Sequence, residues 1–172
     1  MKSRYWLGLL AGCTVLLAGC GASRLVYPDG LSYIRLGEAM PTRAVFHGRV
    51  LQDTLFVEGG YSWPAAVVRS GKGRIYLEGD FVGGSTLNRI RLTTSRYTTP
   101  LGIRVGMTWA ELLPLAADWS ALPIPGYGVA DVASAAAPSI HYLVWAPAWV
   151  ADTVFSIQNI PRDAPVTAIV IM

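Results

Sequence analysis

Residues 74–82, RIYLEGDFV, and 87–95, LNRIRLTTS, constrain the fold more than any other part of this 172-residue chain. In the first, Ile75, Leu77 and Phe81 alternate with Tyr76, Glu78 and Asp80. In the second, Ile90 and Leu92 alternate with Arg89, Arg91 and Thr93. A period of two puts successive side chains on opposite faces of a strand, so each run has an apolar and a polar side. Gly83–Thr86 between them reads as a turn, which makes the pair an antiparallel hairpin. If Val82 lies near Leu87, Asp80 faces Arg89, Glu78 faces Arg91 and Tyr76 faces Thr93, all on one side. A slip of one residue would set Glu78 opposite Ile90 and mix the faces, so the pattern resists it. Each charged pair contributes only about 0.2–1 kcal/mol, enough to fix register but not to hold the fold. On this reading, Arg91→Glu is expected to leave the melting temperature nearly unchanged.

Other segments extend the strand reading. Ser62–Arg69 leads into a hairpin turn at 70–73, SGKG, and Ile140–Trp145 and Val166–Ile171 are rich in β-branched or aromatic residues. The stretch 132–137, VASAAA, is bounded by Pro138 and reads as strand plus loop. One helix has a clear start: Thr108 and Glu111 have capping-box spacing, and Trp109, Leu112, Leu113 and Ala116 fall on one helical face. Pro114 removes a backbone donor inside that run, so the helix is short or kinked. A similar unit precedes it, since YIRLG at 33–37 echoes GIRVG at 102–106, with Pro41 at a first helical position. The expected fold is α+β, an antiparallel sheet with short helices on one face and two strand-turn-helix repeats.

Both cysteines lie in the first twenty residues, in LLAGC repeated at 9–13 and 16–20. Lys2 and Arg4, an apolar run from Tyr5 to Leu17, and then Ala18-Gly19 have the order of a secretory signal. The end at Leu17-Ala18-Gly19-Cys20 resembles the bacterial lipobox, in which the cysteine is acylated and the signal is cut before it. Only Cys20 ends an adequate apolar run, because Cys13 leaves one of about six residues. The expected organisation is a cleaved lipoprotein signal peptide at 1–19, a lipidated tether at 20–30 and a single periplasmic α+β domain at 31–172. By the same resemblance, Gly21 after the cysteine favours the outer membrane. The mature chain would then hold no cysteine but the acylated one, which removes disulfides and Cys-ligated metals. Without Lys2 and Arg4, 12 basic residues remain against 11 acidic ones, too near balance for a nucleic-acid partner.

The segment GIRVGMTWAEL, 102–112, resembles the Gly-Met-Thr-x-x-Glu signature of small outer-membrane lipoproteins related to BamE/SmpA. The wider layout, with TPLGIRVG at 99–106 and a closing aliphatic strand, is similar to the RpoE-regulated lipoproteins and to the tandem fold of β-lactamase inhibitor protein. The resemblance implies adaptor or inhibitor roles, since proteins of this shape bind other proteins.

Chemistry is sparse. His47 and His141 are at no metal-binding spacing, Ser139 lacks a nucleophile elbow, and EGDFVGGS at 78–85 lacks the Lys-Ser/Thr of a phosphate loop. Glu78 and Asp80 are the close carboxylate pair of one strand face, and a small hydrolase using them is the remotest reading. Arginines opposite would keep both ionised and deny the site an acid. Two candidate surfaces remain. One is the polar sheet face of Tyr76, Glu78, Asp80, Arg89 and Arg91, which is either merely solvated or a receiving surface. The other is Trp145 and Trp149 around Pro147, either a loop folded on the core or an exposed anchor. The expectation is a non-enzymatic, outer-membrane-anchored module, with no cofactor and no metal, that binds another envelope protein in envelope assembly or maintenance. A periplasmic inhibitor of a secreted enzyme, such as a lysozyme or a β-lactamase-like target, is the alternative.

Overall fold

The structure is a computed structural model that describes residues 24–41, 51–58, 61–80, 83–124, 126–150 and 156–172. The expected signal peptide, Cys13, Cys20, His47 and Phe81 lie outside the described residues.

The chain is mostly β, which corrects the α+β expectation. Three two-residue strands, β1 (Val26–Tyr27), β2 (Gly30–Leu31) and β3 (Ile34–Arg35), form a small meander. The main sheet has eight antiparallel strands: β4 (Gln52–Glu58), β5 (Tyr61–Ser70), β6 (Gly73–Gly79), β7 (Leu87–Leu92), β8 (Trp119–Ile124), β9 (Val129–Ser134), β10 (Ile140–Trp145) and β11 (Val166–Ile171). Their spatial order is β4-β5-β6-β7-β11-β10-β9-β8, so the last strand of the chain is inserted between two hairpin stacks. Gly71, at φ +65°, makes the β5–β6 turn in a conformation that side chains disfavour.

Two four-residue helices are present among the described residues, α1 (Trp109–Leu112) and α2 (Pro147–Val150). The first begins as its sequence predicts. The Glu111 carboxylate accepts from the Thr108 amide at 2.7 Å and from the Thr108 hydroxyl at 2.8 Å, within a complete capping box. It ends after one turn because Pro114 cannot donate, and the backbone tightens into a 3₁₀ turn over Leu113–Leu115. In the second repeat, the sequence reads Ile103–Val105 as a short strand before a turn at Gly106, but this stretch is irregular backbone; the first repeat's expected helix falls on residues 42–50, outside the described residues. Among the described residues, therefore, these two short helices do not roof the sheet, and α1 supplies only part of its cover.

One sheet face is the core. Ile75, Leu77, Ile90, Leu92, Val132, Ile140, Tyr142, Ile169 and Ile171 are almost fully buried. They are covered by the meander, by the irregular segment through Tyr97 and Ile103, and by Trp109 and Leu112 of α1. Trp109, Trp119 and Tyr142 meet edge to face at 5.9 and 5.8 Å. The meander also moves a boundary: Val26 is buried and β1 pairs with β2, so residues 26–30, expected as tether, belong to the folded body.

Candidate functional site

The second face of the main sheet carries the polar residues singled out above, and its two halves differ. On β6 and β7 the alternation holds: Ile75 and Leu77 pair with Leu92 and Ile90 toward the core, while Tyr76 and Glu78 face the other way with Arg91 and Arg89. The register is two residues from the expected one. Glu78 pairs with Arg89 and Tyr76 with Arg91, because a β-bulge at Glu78–Gly79 ends the ladder early. Asp80 has left the strand. Its Oδ1 accepts from the Gly83 and Gly84 amides at 2.6 and 2.9 Å, and its Oδ2 from Thr86 at 3.2 Å, which ties the turn. Thr93 pairs with Arg74 through main-chain and hydroxyl bonds, not with Tyr76.

Glu78 is 0% exposed. Arg89 gives Nε and Nη2 to its Oε2 at 2.8 and 2.5 Å, and Arg91 gives Nε and Nη2 to its Oε1 at 3.0 and 2.8 Å. The Trp63 indole N–H adds a fifth bond at 3.1 Å. Five donors on one carboxylate satisfy the lone pairs that burial would otherwise orphan. The β4–β5 hairpin supplies the cover. Phe56 stacks on Trp63 at 6.1 Å and meets Tyr76 edge-on at 5.5 Å. The Arg89 guanidinium lies 5.3 Å from the Trp63 ring, and that of Arg91 lies 5.1 Å from Phe56. This half is closed. Arg91→Glu would place a second carboxylate against buried Glu78, so this geometry predicts a lower melting temperature for that variant in place of the expected indifference.

From β7 to β8 the same face is open. A cleft of about 180 Å³ is lined by Arg89 and Arg91 at one end, by Val129, Leu143 and Val170, and by Asp131 and His141 opposite. His141 Nδ1 lies 2.8 Å from the Asp131 carboxylate, a bond that raises the imidazole pKa above its usual value against the smaller opposing effect of partial burial. Large exposed side chains share this face: Leu122 is 69% exposed, Trp145 48%, and Tyr127, which lines the cleft, 54%. Trp145 shares its strand face with Leu143 and His141 and pairs with Val129. Gly128, at φ +64°, leaves room for its ring: an added Cβ would stand 3.3 Å from it.

Arg89, Arg91 and Trp145, drawn from two separate candidate surfaces, thus share one sheet face. Trp149 does not join them. It is 4% exposed, packs in the core, and donates its indole N–H to the Ser156 carbonyl at 2.8 Å, because α2 turns the chain inward after Pro147. Glu78 and Asp80 are committed to the clamp and the turn, which leaves neither carboxylate placed as an acid or nucleophile. Sequence reasoning missed Phe56, Trp63, Leu122 and Tyr127, and the Asp131–His141 pair. The pair had a signal, an Asp and a His on what prove to be neighbouring strands, but nothing local set their register. Among the described residues no group of three or more His, Cys, Asp or Glu could hold a metal ion.

No protein-family model matches the chain, and no curated protein matches it either. Among solved structures, the crystal structure of the uncharacterized protein yfeY from Escherichia coli is similar with a TM-score of 0.65, over 85% of this chain and 97% of that one. The identity is 14%, so the likeness concerns the fold alone.

Proposed function

We propose that this chain is an outer-membrane lipoprotein, anchored through Cys20, whose periplasmic body is a non-catalytic protein-binding module. The reading keeps the resemblance to the BamE/SmpA-like and RpoE-regulated lipoproteins as its setting, envelope assembly or maintenance. The observation that carries it is the open half of the second sheet face. There Tyr127 lines a cleft edged by two arginines, and Leu122 and Trp145 are exposed on the same sheet face. Aromatic residues and arginine are what protein interfaces concentrate, and a contiguous exposed apolar patch costs solubility unless something covers it. The anchor fits this geometry: six residues from Cys20 to Val26 reach at most about 20 Å, which holds the sheet near its membrane.

Two experiments test the proposal. Metabolic labelling with a palmitate analogue should mark the native protein and Cys13→Ser but not Cys20→Ser; label persisting in Cys20→Ser removes the anchor. A photoreactive residue at Leu122 should give a discrete adduct in intact cells, and one at Lys72, on the distant β5–β6 turn, should not. Identical adducts from both positions, or none from Leu122, would overturn the binding reading. A membrane complex among the adducts marks an adaptor, and a soluble enzyme marks an inhibitor.

A further inference from the structure

Without Lys2 and Arg4 the chain is nearly balanced, with 12 basic residues against 11 acidic ones, but its charge is not spread evenly. Arg69 and Arg74 are cross-strand partners on β5 and β6, Lys72 lies in the turn between those strands, and all three are exposed. Arg96 closes over the same turn: a Cβ added at Gly71 would stand 2.7 Å from its Nε. Arg24 reaches this end by another path. Thr98, two residues beyond Arg96, donates its amide to the Arg24 carbonyl at 3.0 Å and accepts from the Val26 amide at 2.9 Å. Two residues span at most about 8 Å, so Arg24 borders the cluster at the turn.

Among the described residues none of these five side chains forms an ion pair; the pairs lie instead at Arg35, Arg89, Arg91 and His141. Like charges directly opposite in an antiparallel pair destabilise it, so Arg69 against Arg74 does not serve the hairpin. A cost with no compensation inside the fold points outward, to an anion.

The chain's own anchor says which anion. Cys20 stands four residues before Arg24, at most about 14 Å along the backbone. Exposed charges are screened over about 8 Å at physiological ionic strength, so they respond only to what is held close. An acylated Cys20 holds this end of the body against a bilayer, where each Lys or Arg beside anionic lipid strengthens binding about fivefold. A soluble polyanion would have to enter the strip between body and bilayer to compete.

We propose that Arg24, Arg69, Lys72, Arg74 and Arg96 form a docking surface for anionic phospholipid headgroups of the membrane that holds the anchor, so that the β5–β6 turn lies on the bilayer. The inference rests on acylation of Cys20 and adds the orientation in which it holds the body. The test places the full lipid-anchored protein in nanodiscs of phosphatidylcholine alone or with about a third phosphatidylglycerol. A fluorophore is attached through Ser95→Cys, beside Arg96, or through Leu122→Cys, on the open half of the second sheet face, and a nitroxide on the lipid headgroup quenches it. With anionic lipid, quenching at position 95 should exceed that at 122, and about 0.5 M salt should remove the excess. Arg69→Gln, Arg74→Gln and Arg96→Gln together should remove it too, with no fall in melting temperature, because no ion pair is lost and a like-charge pair is relieved. Equal quenching at the two positions, an excess that persists in phosphatidylcholine alone or in high salt, or a triple variant that keeps it would overturn the proposal. Where the triple variant does not fold, the lipid and salt comparisons on the native charges decide. If Cys20 carries no acyl chain, the anchor reading falls separately, and sedimentation of the full chain with phosphatidylglycerol vesicles decides this one. Salt-sensitive binding that weakens about fivefold for each charge removed keeps it, and no binding removes it.

Discussion

Around Glu78, between β4 and β7, the second sheet face gathers a carboxylate, two guanidiniums and three rings, and there it is closed. Between β7 and β8 it carries a carboxylate, an imidazole and two rings, and it is open. The residue types are alike, so composition does not account for the difference; the placement of the rings does. Phe56, Trp63 and Tyr76 sit within strands that pair side by side, so their rings meet one another above Glu78. Tyr127 sits in the turn before β9 and Trp145 at the end of β10, so their rings stand at the rim. A covered ion cluster must be fully satisfied, as Glu78 is, whereas a rim pair stays in contact with water and contributes little. One half has become structure, and the other remains a surface.

Removing the carboxylate from each half separates them most sharply. Glu78→Ala strands two guanidiniums and the Trp63 N–H, and is expected to cost about 3–5 kcal/mol. Asp131→Ala, at a pair with side chains 22% and 18% exposed, should cost no more than about 1 kcal/mol. Urea denaturation at constant m-value measures both. Equal losses would mean that the halves do not differ in the way described.

The next effect is on binding. Trp145→Ala should weaken capture of the crosslinked partner by about 2 kcal/mol, roughly thirtyfold, as loss of an interface anchor does. Its melting temperature should stay within a few degrees of the native value, because the ring is 48% exposed. Trp63→Ala should do the reverse, since that ring is 3% exposed and roofs the clamp. A Trp145 variant that binds normally would move the partner to another surface.

These contrasts mark how far the sequence could be read. The faces of β6 and β7 were legible because alternation depends only on local period, and Ile140–Trp145 and Val166–Ile171 form strands over the expected residues. The register was not, because Asp80 looks like a strand residue until its carboxylate is seen capping the turn, and a bulge leaves no mark in RIYLEGDFV. Which half is covered was also hidden. The cover comes from β4, and its pairing with β5 is a long-range fact that no local pattern states. The fold class went astray for a further reason. The 109–116 periodicity is real, but a helix with Pro114 as its sixth residue stops after a turn, and among the described residues the meander and irregular backbone share with α1 the covering that helices were expected to do.

A smaller effect tests the side of the sheet that neither half touches. Thr108→Ala removes the hydroxyl bond to Glu111 at the start of α1 and should cost about 1 kcal/mol. Both halves should keep their NMR shifts, because α1 packs on the core face. Changed shifts at Arg89 or Leu143 would show that the two faces are coupled through the sheet.

The smallest effect is a pH dependence that belongs to the open half alone. His141 has its pKa raised by the Asp131 hydrogen bond, so the folded protein holds the imidazolium more tightly than the unfolded chain does. A raised cationic pKa contributes stability that is fully present below the unfolded value, about 6.5, and is lost as pH rises through the higher folded value. Stability at low ionic strength should therefore fall slightly between mildly acidic and mildly alkaline pH. The pair is partly exposed, so the fall should be about 0.2–1 kcal/mol. Glu111 does not confuse the window. Its carboxylate is held below the usual range by the Thr108 amide, and its contribution is lost on the acid side instead. Asp131→Asn should flatten the profile near neutrality, because the amide offers no charge to the imidazolium. A native profile already flat there, or a slope that survives Asp131→Asn, would show that the dyad at the rim is not coupled to folding and that the open half is held by its apolar contacts alone.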